Sequence, residues 1–301
     1  MVAEIVWRAL GQPKSYIEPF AGSCAVLLAR PDYNPTQHIE TINDKDGFIC
    51  NIWRSLQFNP DEVAKWCDWP VSHIDLSTRK IKLIENEKYL LDGLKDPDWY
   101  DAKLAGYWIW AASCWIGNGL TRIGQIPHLA DGGKGVHKIG QIPHLISGGM
   151  GVQEPYNTNI YKWFRDLSQR LRHVRSFCGD WKRVCGGDWQ DKVGIVGIFF
   201  DPPYGVKDRN DNLYHHDSTD LDHEVRNWCI KRGSKETYRI VLAGYDEHKE
   251  LLSHGWTMQS WSAGGGYSNL GKKGNSNRHR EALYFSPHCV QKAQGTFFDA
   301  V

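Results

Sequence analysis

The residues best suited to chemistry are Asp201, Pro202, Pro203 and Tyr204, which follow an apolar run at 194–200. That run is rich in β-branched and aromatic residues and predicts a buried strand. Two prolines cannot continue a sheet ladder, so the strand must end there and present Asp201 at its carboxyl edge, where open α/β sheets bind ligands. The carboxylate and the Pro202 carbonyl can accept hydrogen bonds from an NH2 group, while Tyr204 offers a face for stacking a base. The alternative is a strand that simply ends in a proline-rich turn.

A second stretch combines a brief strand, a turn of small residues and the start of an apolar helix. Small residues let a ligand approach the backbone, and the free N–H groups at a helix start favour an anionic or carboxylate-bearing ligand. A plain strand-to-helix turn is the alternative. The turn consists of Glu18, Pro19, Phe20, Ala21, Gly22 and Ser23.

Residues 38–56 repeat the pattern of strand, acid and helix, with Asp44 at the end of the predicted strand. Asp44 lies 22 residues beyond Gly22. An acid about 20 residues after a nucleotide-binding turn is placed to bind ribose hydroxyls. The alternative is that Asp44 caps the next helix, a role that could coexist with ligand binding.

Taken together and in order, these motifs resemble the Dam-type (D12 class) N6-adenine DNA methyltransferases, and the resemblance to the phage-borne branch is closer still. The similarity covers most of the chain, and several spaced motifs in the right order are stronger evidence than any one of them. The matching segments are 18–22 (EPFAG), 42–44 (IND), 201–204 (DPPY), 115–117 (WIG), 125–129 (QIPHL) and 286–289 (SPHC).

The resemblance implies that the chain transfers a methyl group from S-adenosylmethionine to adenine N6 of a flipped-out base in double-stranded DNA. It implies that residues 201–204 are catalytic and that Asp201 also contacts the cofactor. The turn at 18–23 would lie along the methionine part, and Asp44 would hold the ribose. Asp180, which ends a short strand at 174–181, would touch the cofactor's adenine; the alternative there is a surface turn.

The DNA surface is expected on a basic amphipathic helix at 154–175 and on two polar loops at 205–219 and 264–277. A solvated charged face is the alternative for the helix. An internal repeat at 123–152, with two copies of IGQIPHL, is either a loop that lies along DNA or closes over the site, or a duplicated surface loop. No further residues that could bind a metal lie at ligand spacing from His128 and His144 in the sequence, so no metal is expected. The candidate DNA contacts are Lys162, Arg165, Arg170, Arg172, Tyr214 and Lys272, with His215 beside Tyr214.

The alternation of strands and helices predicts an α/β fold with a doubly wound sheet and a mainly helical insertion. The resemblance adds the S-adenosylmethionine-dependent methyltransferase version, with an antiparallel strand near the C-terminus. We assign 1–55 and 176–290 to a discontinuous catalytic domain, 56–175 to DNA target recognition and 291–301 to a tail. Further strands are predicted at 239–244, 256–261 and 280–285, and helices at 1–15, 80–91, 101–117 and 245–254.

Composition sets the remaining expectations for this chain of 301 residues, of which 41% are hydrophobic. A net charge of +1 gives no global basic field, so DNA binding must use a local patch. The eight cysteines form no CxxC pair, and no signal peptide or long apolar run is present. We expect a cytoplasmic protein of a bacterium or phage-infected cell that binds no membrane and is a monomer or weak dimer. A phage-like role, shielding DNA from restriction, follows from the resemblance alone.

Two departures from the family bear on activity. The family's aromatic-Gly-Gly-Lys segment, which helps bind the methionine end of the cofactor, does not precede the first helix, so we expect a late-started or truncated N-terminus. Cys24 stands where the last glycine of the turn is usual, which could crowd the cofactor. Two alternatives therefore stay open: a catalytically impaired DNA-binding scaffold, and the same chemistry on cytosine N4. The Asp before Pro-Pro-Tyr favours adenine.

Overall fold

The computed structural model describes residues 2–114, 159–203, 215–260 and 282–290. The repeat at 123–152 and the predicted site residues Tyr204, Tyr214 and Lys272 lie outside this part of the chain. The chain divides into two compact units. We call Met1–Ala21, Arg30–Ile42 and Val184–Val301 the sheet unit, and Gly22–Ala29 with Asn43–Arg183 the helical unit. The domain limits expected from the sequence remain a prediction.

The described strands form a mixed seven-stranded sheet. They are β1 (Ser15–Glu18), β2 (Ile39–Asp44), β3 (Arg175–Cys178), β4 (Val196–Phe200), β5 (Tyr238–Gly244), β6 (Thr257–Ser260) and β7 (Ala282–Phe285). Their order is β3-β2-β1-β4-β5-β7-β6. β1 is parallel to both β2 and β4, and β4 is parallel to β5, whereas β7 is antiparallel to β5 and β6. The predicted α/β class is confirmed, and the arrangement is compatible with a Rossmann-like fold.

Ten α-helices lie in the described part of the chain, and none is both long and apolar enough to cross a bilayer. They are α1 (Val2–Leu10), α2 (Ala25–Leu28), α3 (Gly47–Phe58), α4 (Pro60–Cys67), α5 (His73–Glu85), α6 (Glu87–Gly93), α7 (Ala102–Cys114), α8 (Ile160–Leu171), α9 (Lys182–Cys185) and α10 (His215–Gly233). Short 3₁₀ helices cover Gln190–Lys192 and Asp246–His254.

Two predicted boundaries need correction. Residues 215–219, expected within a polar loop, form the start of α10. Their polarity misled the prediction, because the buried anchors of this helix come later, at Val225 and Cys229. The helix expected at 245–254 is present as a 3₁₀ helix that ends at Gly255, which takes the left-handed conformation with φ +78°.

The core of the sheet unit forms around β4, whose five residues are all buried, as expected for a central parallel strand. A Cβ on Gly197 would lie 2.7 Å from Pro13 Cγ, so glycine is needed for that close approach. In the same unit, Arg30 forms a fully buried ion pair with Glu40 of β2 at 3.3 Å and donates a hydrogen bond to the Pro13 carbonyl at 2.5 Å. Helix α1 ends at Leu10, within the range 1–15 predicted for it, and the next residue, Gly11, takes the left-handed conformation with φ +63°.

A buried histidine lies just beyond β5 in the same unit. His248 is fully buried and meets the ring of Tyr284 edge-on at 5.8 Å. The carboxyl end of β5 leaves room for this ring only because residue 244 is glycine, where a Cβ would lie 2.2 Å from the ring. Burial, and then the charges of Arg226 and His223, lower the pKa of His248 to about 4.

In the helical unit, α7 packs against α3, α4 and α5. Gly106 permits the close approach to α4, because a Cβ there would lie 2.5 Å from Trp66 Cβ and 2.9 Å from the Val63 carbonyl. The Arg79 guanidinium lies 4.4 Å from the ring centroid of Tyr107 and 4.3 Å from that of Trp110, a cation–π arrangement. The aromatic residues of α7 that face inward therefore serve the core.

Candidate active site

Two predicted motifs meet in the sheet unit at the carboxyl edge of neighbouring strands. β1 and β4 are parallel and in register, with Ile17 opposite Ile198, so the turn after Glu18 and the segment at Asp201 leave the sheet on the same side. The rings of Phe20 and Phe200 make contact, with centroids 6.2 Å apart. The Glu-Pro-Phe-Ala turn and the Asp-Pro-Pro segment are therefore brought together.

Asp201 is accessible at this edge. β4 ends at Phe200, and Asp201 and Pro203 are exposed whereas Pro202 is buried. The predicted exit of the chain from the sheet is therefore confirmed. Phe200 packs edge-on against Trp228 at a ring distance of 5.4 Å, and this contact fixes the residue that immediately precedes Asp201. Tyr204, the fourth member of the motif, lies outside the described residues.

Glu18 is a buried carboxylate, with only 2% of its surface exposed. It accepts a hydrogen bond from the Tyr16 hydroxyl at 2.6 Å. Tyr16 is itself fully buried and packs against Trp7 at a ring distance of 4.5 Å. A short bond to a rigid partner limits the rotamers that the carboxylate can adopt, so Glu18 is held in one orientation at the end of β1.

In the helical unit, both polar backbone groups of Gly22 are bound by side chains. Its N–H donates to Asp44 Oδ2 at 2.9 Å. Its carbonyl accepts from Trp53 Nε1 at 2.9 Å, and Trp53 is only 3% exposed. The second carboxylate oxygen, Asp44 Oδ1, accepts from the Asp46 N–H at 2.9 Å. The turn and the acid expected to bind one cofactor therefore contact each other directly.

The backbone of the turn is left-handed at two positions. Gly22 has φ +45° and Cys24 has φ +53°. A Cβ built on Gly22 would meet no atom of the described residues within 4 Å, so these residues leave space beside it. Cys24 adopts the region that favours glycine, at a cost of about 1–2 kcal/mol for a residue with a Cβ. The backbone at position 24 therefore takes a conformation that favours glycine, although a cysteine stands there.

The role of helix cap belongs to Asp46 rather than Asp44. Asp46 Oδ1 accepts from the Phe48 N–H at 2.7 Å at the start of α3, so the capping alternative for Asp44 was wrong. Burial raises the pKa of Asp44, although the nearby backbone N–H groups of Asp46, Gly22 and Lys45 oppose that shift.

Asp180 belongs to a turn that is bound to the end of β2. The Asn43 side-chain amide donates to the Gly179 carbonyl at 3.0 Å, and the Gly179 N–H donates to the Asp44 carbonyl at 2.8 Å. The Asp180 carboxylate is exposed and accepts from the Lys182 N–H at 2.8 Å at the start of α9. The structure therefore brings the turn that carries Asp180 next to Asp44.

A scan of protein-family models and a search of curated proteins each returned no match to this chain.

The described candidate DNA contacts all have local partners except the exposed Arg172. Lys162 pairs with Asp166 at 2.7 Å. Arg165 forms a bidentate ion pair with Asp61, with N–O distances of 2.7 and 3.0 Å. Because each partner stabilises the charged form of the other, the pKa of Arg165 rises and the pKa of Asp61 falls. Arg170, by contrast, donates to the Leu27 carbonyl at 2.8 Å. A phosphate would therefore have to use other N–H groups of this guanidinium, which has five in total.

The described residues contain no group of three or more acidic, histidine or cysteine side chains that could hold a metal ion. Two contributors to the site had not been predicted from the sequence, Trp53 and Asp46. The position of Asp46, just before an apolar helical run, is a recognisable N-cap signal. The hydrogen bond of Trp53 spans 31 residues and has no comparable local signal.

Proposed function

We propose that this chain is an S-adenosylmethionine-dependent DNA methyltransferase that modifies adenine N6. One observation carries the proposal: the turn at Glu18–Ala21 and the segment at Asp201–Pro203 leave adjacent parallel strands at the same edge of the sheet unit, with Phe20 against Phe200. The antiparallel β7, which the resemblance implied, also supports the proposal.

The chemistry required of Asp201 follows from the substrate. The exocyclic amine of adenine is a poor nucleophile, because its lone pair is delocalised into the ring. Hydrogen bonds from N6 to the Asp201 carboxylate and the Pro202 carbonyl favour a tetrahedral nitrogen and aim its lone pair. Transfer of the methyl group would turn the sulfonium into a neutral thioether, and one N6 proton would leave to solvent by way of the exposed Asp201 carboxylate. Orientation of this kind can supply about 7–11 kcal/mol of a barrier reduction.

The target base must leave the duplex to reach an exposed carboxylate at a sheet edge. Flipping costs a few kcal/mol and is usual for enzymes that modify bases. Asp201 is exposed, which is compatible with a substrate that arrives from outside the fold. Tyr204 is the residue proposed to stack on the extruded base, an interaction worth about 1–3 kcal/mol.

Two observations fit a bound adenosyl cofactor in the helical unit. The space beside Gly22 is open, so a ligand can approach the backbone of the turn closely. The Asp44 carboxylate is fixed by two backbone N–H groups and keeps lone pairs for ribose hydroxyls. When bound, the cofactor supplies an electrophilic methyl group on a sulfonium centre. Gly22 and Asp44 would hold it, together with Ser23 and Asp180.

The DNA contacts of this proposal use Lys162, Arg165 and Arg172 on and beside α8. Exposed ion pairs contribute about 0–1 kcal/mol, so phosphates can compete with Asp166 and Asp61 for these cations. Because the net charge of the chain is only +1, the affinity for DNA would depend on this local patch and would fall steeply with salt.

The test is methyl transfer by the full chain. Tritiated S-adenosylmethionine is incubated with unmethylated duplex DNA, and the nucleosides are separated after digestion. We expect label in N6-methyladenine. The rate of labelling should fall at least a hundredfold in Asp201→Asn and should not change in Asp98→Asn, a control at an exposed acid without an assigned role. Label in N4-methylcytosine instead would show that the methylated base is cytosine and not adenine. No label, together with no cofactor binding by calorimetry, would overturn the proposal in favour of an impaired scaffold.

A further inference from the structure

Helix α3 of the helical unit holds both polar backbone groups of Gly22. From the middle of the helix, Trp53 Nε1 donates to the Gly22 carbonyl at 2.9 Å. The Gly22 N–H donates to Asp44 Oδ2 at 2.9 Å, and Asp44 Oδ1 accepts at 2.9 Å from the N–H of Asp46, the N-cap of α3. The turn is therefore tied to one helix at two places, directly by Trp53 and through Asp44 at the start of the helix.

The neighbours of Trp53 on α3 fix the helix to the segment before α7. The Asn51 side-chain amide donates to the Asp101 carbonyl at 2.8 Å, and its oxygen accepts from the Asp101 N–H at 2.9 Å. The Arg54 guanidinium donates to the Trp99 carbonyl at 2.9 Å. Because these side chains lie close to Trp53 in sequence, the indole extends from a part of the helix that is itself held in place.

The turn needs this support because its backbone is unusual. Gly22 has φ +45° and Cys24 has φ +53°, and this left-handed region disfavours a residue with a Cβ. Local preference therefore leaves other shapes of the turn in competition with this one. Trp53 is only 3% exposed, and its indole N–H can donate but not accept. Because a buried donor without an acceptor is costly, Trp53 favours the shape that presents the Gly22 carbonyl to it.

We propose that Trp53 is a positioning residue that holds the turn in its cofactor-binding shape before S-adenosylmethionine arrives. The inference rests on the proposed function, in which the turn lies along the cofactor. Trp53 acts through the Gly22 carbonyl and needs no contact with the cofactor. Since the Gly22 N–H is engaged by Asp44, Gly22 offers the cofactor a close approach to the backbone rather than a donor.

The size of the effect follows from the single hydrogen bond that Trp53 donates. Such a bond shifts the balance between two shapes of the turn about fivefold, which corresponds to about 1 kcal/mol. Loss of the bond lowers the fraction of molecules with a competent turn, and the apparent affinity for S-adenosylmethionine falls with that fraction, by about two- to fivefold. At saturating cofactor, binding selects the competent shape, so kcat should stay unchanged while the KM for the cofactor rises.

The helical unit offers a matched control in Trp110 of α7. Its ring is fully buried, and its Nε1 donates to the Trp69 carbonyl at 3.0 Å. Trp53→Phe and Trp110→Phe therefore remove the same atoms and the same kind of hydrogen bond from buried positions. Both variants should lose stability, but only Trp53→Phe removes a bond to the turn at Gly22.

The first measurement is hydrogen exchange by NMR on the full chain without cofactor. In the natural chain, the indole N–H of Trp53 should exchange as slowly as that of Trp110, because both are buried and hydrogen-bonded. In Trp53→Phe, the Gly22 amide should exchange faster than the loss of global stability in urea accounts for. In Trp110→Phe, any faster exchange of the Gly22 amide should match the loss of global stability.

The second measurement is calorimetry with S-adenosylmethionine on the same three proteins, after circular dichroism has checked that the variants fold. We expect the Kd to rise about two- to fivefold in Trp53→Phe and to stay unchanged in Trp110→Phe. A merely structural defect would lower the fraction of chains that bind and leave their Kd unchanged. The number of binding sites per chain therefore separates positioning from partial unfolding.

Three results would overturn the proposal. One is fast exchange of the Trp53 indole N–H in the natural chain, which needs no variant. The others are an unchanged Gly22 amide in Trp53→Phe, and an equal change of affinity in Trp53→Phe and Trp110→Phe. If the natural chain binds no S-adenosylmethionine, the proposed function fails, while exchange in the cofactor-free chain still decides whether Trp53 holds the turn.

Discussion

The hydrogen bonds that hold the proposed cofactor turn can be tested by replacing Asp44 with its isosteric amide. The carboxylate accepts one hydrogen bond on each oxygen, from the Gly22 and Asp46 N–H groups, both at 2.9 Å. In Asp44→Asn only one oxygen remains, and the new NH2 group faces a backbone donor. An unmet buried donor costs about 1–3 kcal/mol. Removal of a partly buried charge offsets part of this, because burial raises the pKa of Asp44. We expect a net loss of about 1–2 kcal/mol in the free energy of unfolding.

The chain supplies a matched control two residues away. Asp46 caps α3 by accepting a hydrogen bond from the Phe48 N–H on one carboxylate oxygen, and asparagine is an equally good cap. Asp46→Asn should therefore change the free energy of unfolding by no more than about 0.5 kcal/mol, the part that its charge contributes at the helix N-terminus. Both variants differ from the natural chain by the same atoms, so their comparison isolates the number of bonds that each carboxylate accepts.

Two measurements decide between these expectations. Urea unfolding gives the stability of each variant, and hydrogen exchange followed by NMR reports on the Gly22 amide. In Asp44→Asn the free energy of opening at the Gly22 amide should fall by at least as much as the global free energy of unfolding. In Asp46→Asn the Gly22 amide should keep its protection from exchange. Equal stability of the two variants, or unchanged protection of Gly22 in Asp44→Asn, would refute the reasoning.

Three further changes have expected outcomes, each measured by urea unfolding. His248 has a pKa near 4 in the folded chain and 6.5 when unfolded. The free energy of unfolding is therefore not reduced by this group above pH 6.5 and falls by about 3 kcal/mol as the pH drops to 4. His248→Phe should lack this loss, so parallel pH profiles of stability for the variant and the natural chain would contradict the expectation. Glu40→Gln removes the carboxylate that pairs with the buried Arg30 and should cost about 3 kcal/mol, so a cost under about 1 kcal/mol would show that the pair matters little. Gly106→Ala forces a Cβ to within 2.5 Å of Trp66 and should cost about 1–3 kcal/mol; a neutral result would show that α4 and α7 can separate freely.

Much of the sheet unit could be predicted from local patterns. The strand at β4 follows from five consecutive apolar or small residues before two prolines, and its end at Phe200 follows from those prolines. β1 and β2 could be placed because each apolar run stops at an acid. Strand order is different, since it depends on pairing between distant segments; the antiparallel β7 came from the resemblance rather than from its four residues.

The candidate site shows the same division. The residue types of the turn and the spacing to Asp44 predicted that both bind one cofactor, whereas the hydrogen bond between Gly22 and Asp44 was not predicted. The hydrogen bond from Trp53 could not be foreseen, because an indole on the buried face of a helix looks like any other core residue. The ion pair of Arg165 was missed for a related reason: its partner, Asp61, lies 104 residues away.

The pairing of β1 with β4 has a consequence for synthesis. Ser15 pairs with Val196, so about 180 residues separate the partners, and the segment 43–183 of the helical unit is made in between. At about 5–20 residues per second, a ribosome takes roughly 10–40 s to cover that distance. During this time β2 can cover one side of β1, while the N–H and C=O groups on its other side await β4 and can pair with another chain. Translation speed through the helical unit then controls how long a nascent chain carries an open strand edge.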